Sequence, residues 1–134
     1  AGDLRLGGGY EYLDSEITSG PQAGSQVPLA PQNKANVFAE YRPLPDWLLR
    51  IDVEYIGQQY LGGDYDNNSE PLDAYTVADL VAHYDLGDWR LTAKVNNLFD
   101  ARYSETGATS FAGDGFNPAP ERNFWIGVSY RMED

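Results

Sequence analysis

Oxygen-bearing side chains stand at every second position in one stretch of the chain, between residues 62 and 70. Side chains at this spacing could wrap a calcium ion, as in the first half of an EF-hand loop. The central glycine and the distant bidentate glutamate of that motif are absent, so a solvated loop is the default interpretation. The weak calcium candidates are Asp64, Asp66, Asn68 and Glu70.

A second pair of carboxylates could be read as a general acid and base. Asp52 and Glu54 share one face of an alternating segment, which puts them about 6–7 Å apart, near glycosidase range. The same alternation of charges recurs in every strand-like segment, so it carries no catalytic information. The chain has no cysteine and one histidine, His83, and it lacks a nucleophile motif and a phosphate loop. We therefore predict a protein that is not an enzyme and has no cofactor and no metal.

The formal net charge of −12 argues against a nucleic-acid partner, because a basic surface supplies most of the affinity in such complexes. No apolar run approaches the roughly 18 residues of a membrane helix, and no signal peptide is visible. Hydropathy alone therefore favours a soluble protein. Membrane β-strands also have a polar average, however, so the mean hydropathy of −0.51 leaves an outer-membrane barrel open.

Six alternating β-strands would position these side chains. In the clearest one, apolar residues from Trp47 to Tyr55 alternate with Arg50, Asp52 and Glu54, and successive side chains of a strand point to opposite faces. The predicted strands span residues 4–17, 33–42, 47–60, 74–85, 89–96 and 121–132. Long loops alternate with short turns, as the outer loops and periplasmic turns of an outer-membrane barrel do.

The predicted apolar faces carry no charge, and their aromatic residues lie near the strand ends. Trp47 and Trp89 fall at the short-turn end, Tyr10 and Tyr55 fall at the long-loop end, and aliphatic residues lie between. Two aromatic girdles around an aliphatic band are typical of lipid-facing strands. The opposite faces would line a lumen, where charges pair across strands or with a plug. The lumen-facing candidates are Arg50, Asp52, Glu54, Asp79, Arg90 and Lys94.

Aromatic side chains of the predicted long loops could contact a ligand from outside, or they could simply pack against neighbouring chain. Six strands do not close a barrel, since single-chain outer-membrane barrels begin at about eight. A piece of a larger barrel is the favoured reading. The alternatives are a soluble small β-barrel or open-sheet module that binds a ligand, and a chain that self-assembles into an oligomeric pore. The tentative ligand-binding aromatics are Tyr60, Tyr65, Phe111 and Phe116.

The segment VNNLFDARY, residues 95–103, resembles the N-L-F-D-x-x-Y segment near the end of TonB-dependent outer-membrane receptors. Three further stretches are similar to that family in the same order: VPLAPQNK at 27–34, LDAYTVAD at 72–79 and PAPERNF at 118–124. The resemblance covers essentially the whole chain. Its motif residues are Asn97, Leu98, Phe99, Asp100 and Tyr103.

The resemblance implies an all-β antiparallel meander of about six transmembrane strands, the C-terminal part of a 22-stranded barrel in the outer membrane of a Gram-negative cell. The partners it implies are outer-membrane lipid, the rest of the barrel and its plug domain, the TonB system acting through that plug, and an iron-siderophore or other small nutrient. Residues 1–134 show no plug domain and no energy-coupling segment, so we expect that this piece alone does not transport. The family usually ends on an aromatic residue, whereas here Met132 is followed by Glu133 and Asp134.

Overall fold

A computed structural model describes residues 2–132, so Glu133 and Asp134 lie outside the described residues. Within that range the chain forms a six-stranded antiparallel sheet of order β1-β2-β3-β4-β5-β8 and a separate hairpin of β6 and β7. No helix in the described part is long and apolar enough to cross a membrane. The strands are β1 (Asp3–Tyr12), β2 (Asn33–Arg42), β3 (Trp47–Ile56), β4 (Tyr75–Leu86), β5 (Trp89–Asn96), β6 (Ser104–Ser110), β7 (Gly113–Pro118) and β8 (Asn123–Tyr130).

The six predicted strands are confirmed as the main sheet, with shorter bounds at the long-loop end. β1 ends at Tyr12 instead of residue 17, and β3 ends at Ile56 instead of residue 60. Beyond Tyr12 a looser ladder continues, in which the Ile17 N–H donates to the Ser25 carbonyl. The predicted strands are too long because the alternation of side chains continues into segments whose backbone forms only occasional inter-strand hydrogen bonds.

The third long loop contains a hairpin, although the predicted strands leave the chain between 96 and 121 as loop. β6 and β7 pair antiparallel from Ser110 and Gly113 back to Ser104 and Pro118. The prediction of an irregular loop is wrong. Gly, Ser and Pro dominate this segment, and every residue of β7 is exposed, so no hydrophobic alternation marks the strands.

The register of the main sheet places one uncharged, mainly apolar set of residues from all six strands on one face. Ile51, for example, lies opposite Ala39 in β2 and Leu80 in β4. On the outermost strands this face is uncovered, and the side chains of Phe124 and Ile126 are 72% and 81% exposed. Among residues 2–132, nothing covers this part of the apolar face.

Aromatic rings close the apolar face at the short-turn end. Trp47 and Tyr84 are cross-strand neighbours whose ring centroids lie 4.9 Å apart. Trp89 and Tyr130 are equivalent neighbours on β5 and β8, at 4.8 Å. The predicted placement of the rings at the strand ends is confirmed, and the rings pair across strands, which adds to the burial of their area.

The most buried side chains lie mainly in the long loops, outside the sheet. Leu61 is fully buried, and Leu72, Gln59 and Asp64 are nearly so. Within the main sheet, Ala78 is the buried apolar residue. The small core of this chain therefore sits at the long-loop end, where loop packs against loop.

We expect Ile51→Arg to destabilise the barrel by about 2–4 kcal/mol, because a guanidinium at the middle of a lipid-facing strand loses its hydration. Urea unfolding in lipid vesicles measures this cost. Asn36→Arg is the matched control, since Asn36 is exposed on the opposite face, across from Glu54. Equal stability of both variants would mean that the apolar face does not meet lipid.

Candidate functional site

The six charged residues predicted for the lumen share the polar face of the main sheet. Three of them, Arg50, Asp52 and Arg90, form ion pairs. Arg50 donates two hydrogen bonds to Asp52, at 2.6 and 2.8 Å, and lies 3.7 Å from Glu40 of β2. Arg90 makes a bidentate pair of 2.6 and 2.8 Å with Asp85 across the β4–β5 turn. Planar guanidinium–carboxylate forks of this kind are the stronger ion pairs.

Two carboxylates stand directly opposite each other on this face. Asp52 of β3 faces Asp79 of β4, an arrangement that is unfavourable for like charges. Each has its own donor: Asp52 accepts from Arg50, and Asp79 accepts the backbone N–H of Asn97 at 2.8 Å. In the described part of the chain, Glu54 and Lys94 make no ion pair.

An aromatic ring is also held on the polar face. The Arg50 guanidinium lies 4.2 Å from the centroid of the Phe38 ring, and Arg5 lies 5.8 Å away, both within cation–π range. Phe38 is the cross-strand partner of Gly7, and a Cβ at Gly7 would overlap its ring. The glycine therefore leaves the space in which the ring lies flat against β1.

The motif residue Asn97 is a structural node at the end of β5. It is 3% exposed, and its backbone has a φ of 52°, a left-handed conformation that asparagine tolerates better than most residues. Its side-chain amide donates to the carbonyls of Ala101 at 2.8 Å and Pro120 at 3.3 Å, while its oxygen accepts the Ala101 N–H at 2.8 Å. The side chain thus ties the turn after β5 to the chain that leads into β8.

The remaining motif residues surround this node. Leu98 donates its N–H to the Ala78 carbonyl at 2.7 Å, and Asp100 accepts the Arg122 N–H at 2.9 Å. Phe99 is 75% exposed. Tyr103 stacks on Tyr75 with centroids 4.1 Å apart. Burial, followed by the nearby Glu105, raises the pKa of Tyr103, so its phenol stays neutral well beyond physiological pH.

The four predicted ligand-binding aromatics do not meet in one cleft. Phe116 lines a cleft with Asp73, Arg102 and Tyr103. Tyr60 lines a second cleft, between the first and second long loops. Tyr65 is 55% exposed, and Phe111 is fully exposed at the β6–β7 turn.

The calcium candidates do not converge either. Asp64 is nearly buried, and its two carboxylate oxygens accept the backbone N–H groups of Asn68 and Ser69 at 2.9 and 3.0 Å. Asp66 and Glu70 are exposed. Across residues 2–132, no three His, Asp or Glu side chains are grouped so that they could hold a metal ion. Asp64 is therefore used to shape the loop.

Comparison with known proteins agrees with this geometry. The family model for the β-barrel of TonB-dependent receptors matches residues 2–98. The chain belongs to that family. It is 38% identical over 109 residues to the metal-pseudopaline receptor CntO of Pseudomonas aeruginosa, a match that covers 76% of this chain and 15% of CntO.

Solved barrels of TonB-dependent receptors have the same fold. The crystal structure of the siderophore receptor PiuA from Acinetobacter baumannii matches 95% of this chain and 19% of PiuA, with a TM-score of 0.79 and 25% identity. The ferric-catecholate import receptor Fiu from E. coli K12 in its open form matches 93% of this chain and 18% of Fiu, with a TM-score of 0.74 and 22% identity. The chain thus spans less than a fifth of the length of these proteins. Its main sheet is an unclosed, six-stranded part of a transmembrane β-barrel.

Net charge in this TonB-dependent receptor segment is concentrated in the long loops. The strands of the main sheet carry nearly equal numbers of acidic and basic residues. The three long loops (13–32, 57–74 and 97–122), by contrast, carry ten acidic and two basic residues. The excess of carboxylates at the long-loop end repels anions over about one Debye length. The acidic residues are Asp14, Glu16, Asp64, Asp66, Glu70, Asp73, Asp100, Glu105, Asp114 and Glu121, and the basic ones are Arg102 and Arg122.

Sequence reasoning missed the residues that hold the loops together. Asn67, whose side-chain oxygen accepts the Gln26 N–H at 2.7 Å, stands beside the predicted calcium ligand Asn68. The available signal was the dipeptide Asn67-Asn68 in a turn-rich segment, since asparagine is favoured where φ is positive. The structure gives Asn67 a φ of 53°.

We expect Asn97→Ala to destabilise the barrel by about 2–4 kcal/mol, because it removes three side-chain hydrogen bonds and strains a left-handed backbone. Asn96→Ala is the control, since the Asn96 amide bonds only the exposed Asn123 side chain. Thermal unfolding followed by gel mobility compares the two variants. Asn97→Gly separates the effects: it relieves the strain and keeps the loss of hydrogen bonds. Equal midpoints for Asn97→Ala and Asn96→Ala would refute the structural role of the node.

Proposed function

We propose that this chain is the C-terminal segment of a TonB-dependent receptor in the outer membrane of a Gram-negative cell. It supplies barrel wall and outer loops for the uptake of a chelated metal, such as an iron-siderophore, or of a similar small nutrient. The observation that carries the proposal is the sheet itself: one face is apolar, uncovered and bounded by aromatic rings, and the other is charged and ion-paired. Such a sheet suits lipid on one side and a wet lumen on the other.

The partners follow from this placement. The apolar face meets outer-membrane lipid, and the free edges of β1 and β8 continue into the rest of the barrel. Glu54 and Lys94, which lack an ion-pair partner among the described residues, are available to a plug domain in the lumen. Energy from the TonB system would reach the barrel through that plug. The relatives of this chain include receptors for metal-pseudopaline and for siderophores, which supports a metal chelate as the substrate class, and we assign the segment no catalytic role.

The long loops face outward in this proposal, and four of their aromatic residues, of which Tyr65, Phe111 and Phe116 are exposed and Tyr60 is partly buried, are the ligand contacts. Phe111 at the tip of the hairpin and Phe116 in the Asp73–Tyr103 cleft lie on the third long loop. Tyr60 and Tyr65 lie on the second. Rings of this kind supply a large contact area with few rotatable bonds.

The soluble module and the self-assembling pore are less well supported. A soluble module would need a cover for the apolar face, and residues 2–132 supply none. A pore of identical copies would need each chain to be complete by itself, whereas the related receptors are more than five times longer than the matched segment.

We expect uptake of a radiolabelled ferric siderophore by cells that carry the complete receptor to stop when TonB is deleted. Membrane fractionation of the same cells should place the protein in the outer membrane in both strains. Uptake that continues at the same rate without TonB would support a passive pore. Recovery of the protein in the soluble fraction would support the soluble module.

We expect Phe111→Ala in the complete receptor to weaken ligand binding roughly tenfold, the effect of losing one aromatic contact. Phe124→Ala removes another exposed ring, one that lies on the apolar face of the sheet, and should leave the affinity unchanged. Fluorescence titration in detergent micelles measures both. Equal affinities for the wild type and Phe111→Ala would exclude the hairpin tip from the ligand site.

A further inference from the structure

The first and second long loops are joined by a side chain that replaces a strand partner. The Asn67 oxygen accepts the N–H of Gln26 at 2.7 Å, and its amide donates to the carbonyl of the same residue at 3.0 Å. The amide also donates to the Asp64 carbonyl at 3.2 Å. Asn67 therefore satisfies both backbone groups of a residue 41 positions away, as a neighbouring strand would. A further bond, from the Leu29 N–H to the Tyr60 carbonyl at 2.9 Å, lies beside it.

The second and third long loops are joined by backbone. Gly62 donates its N–H to the Gly107 carbonyl at 2.8 Å and accepts the Thr109 N–H at 2.9 Å, which forms a parallel bridge to β6. The Gln59 side chain adds a bond to the Glu105 carbonyl at 2.9 Å. The hairpin of β6 and β7 is thus continuous with the second loop through hydrogen bonds.

Packing reinforces the second junction. Leu61 is fully buried, and the nearest atom that a Cβ on Gly107 would meet is its Cδ2, at 2.7 Å. The same Cβ would lie 2.9 Å from the Gly115 carbonyl oxygen in β7. Any larger residue at position 107 would therefore force the hairpin away from the second loop.

We propose that the three long loops move as one unit, the loop platform. Two contacts, which we call latches, hold it together: Asn67 joins the first loop to the second, and the Gly62–Gly107 bridge joins the second loop to the third. The second long loop is its centre, because both latches and the buried Leu61 belong to it. A displacement of the β6–β7 hairpin carries the second loop with it, and Asn67 transmits the displacement to residues 25–30. The three loops of the platform therefore move together and not as three independent segments. This inference requires no ligand and stands whether or not the proposed substrate class is right.

Hydrogen exchange of the complete receptor in detergent micelles, with Asn67→Gly, tests the coupling, because glycine removes the side chain without straining the left-handed backbone at this position. Loss of the latch should speed exchange at Gln26 and Leu29 and also at Gly62 and Thr109, beyond the mutated turn. We expect a rise of roughly five- to tenfold at both junctions, which corresponds to the loss of about one net hydrogen bond. Asn68→Ala is the control, because it removes the same amide group from an exposed neighbour whose side chain holds no other loop.

The reverse experiment uses Gly107→Ala, which disturbs the platform from its other side. It should speed exchange at Gln26, in the first long loop, as well as at Gly62. Unchanged exchange in β2 to β4 verifies that the barrel is folded in each variant. Faster exchange at the mutated junction alone, with wild-type rates at the other junction in both variants, would overturn the single platform and establish independent loops.

Discussion

A bilayer core offers no water to bond with the backbone, so every N–H and C=O group of a membrane strand must find a partner in the adjacent strand. Five consecutive antiparallel pairings with one-to-one registers meet that requirement for β2 to β5, while the outer edges of β1 and β8 have no strand partner within residues 2–132. Since side chains alternate along a strand, a fixed register also fixes the face of every residue. The uncovered apolar face, the aromatic pairs at the short-turn end and the ion-paired polar face all follow from this one constraint.

The same constraint moves the buried core to an unusual place. Neither face of the sheet can pack against another layer of this chain, because the family's barrels enclose a lumen on one side and meet lipid on the other. Apolar burial is therefore left to the loops, where Leu61 and Leu72 are enclosed. Specific polar contacts do the rest: Asn97 ties the turn after β5 to the approach to β8, and Asp79 on the polar face holds that turn by a backbone N–H.

The sheet was predictable from the sequence because its rules are periodic. The apolar and polar residues that alternate from Trp47 to Ile56 locate the strand and assign its two faces. The alternation of long loops and short turns distinguishes the two ends of the sheet. The NLFD segment predicts the family, but the role of its buried Asn97 in holding the turn after β5 appears only in the structure. The hairpin at Ser104–Pro118 could not be predicted because its exposed strands show no hydrophobic alternation. The Asn67–Gln26 contact could not be predicted because it joins groups 41 residues apart in sequence. Alternation likewise could not show that the polar-face carboxylates Asp52 and Asp79 stand opposite each other.

The hairpin of β6 and β7 joins two residue environments that differ sharply in their tolerance of change. Gly107 is enclosed between Leu61 and β7, whereas Phe111 and the whole of β7 are exposed. Selection can therefore exchange the residues at the tip at almost no cost in folding, while the base must keep its sequence. Among natural variants of this receptor, diversity of the outer surface should concentrate at residues 111, 112 and 114, on an invariant foundation of Leu61, Gly62 and Gly107, while Gly113 is retained because its φ of 118° favours glycine.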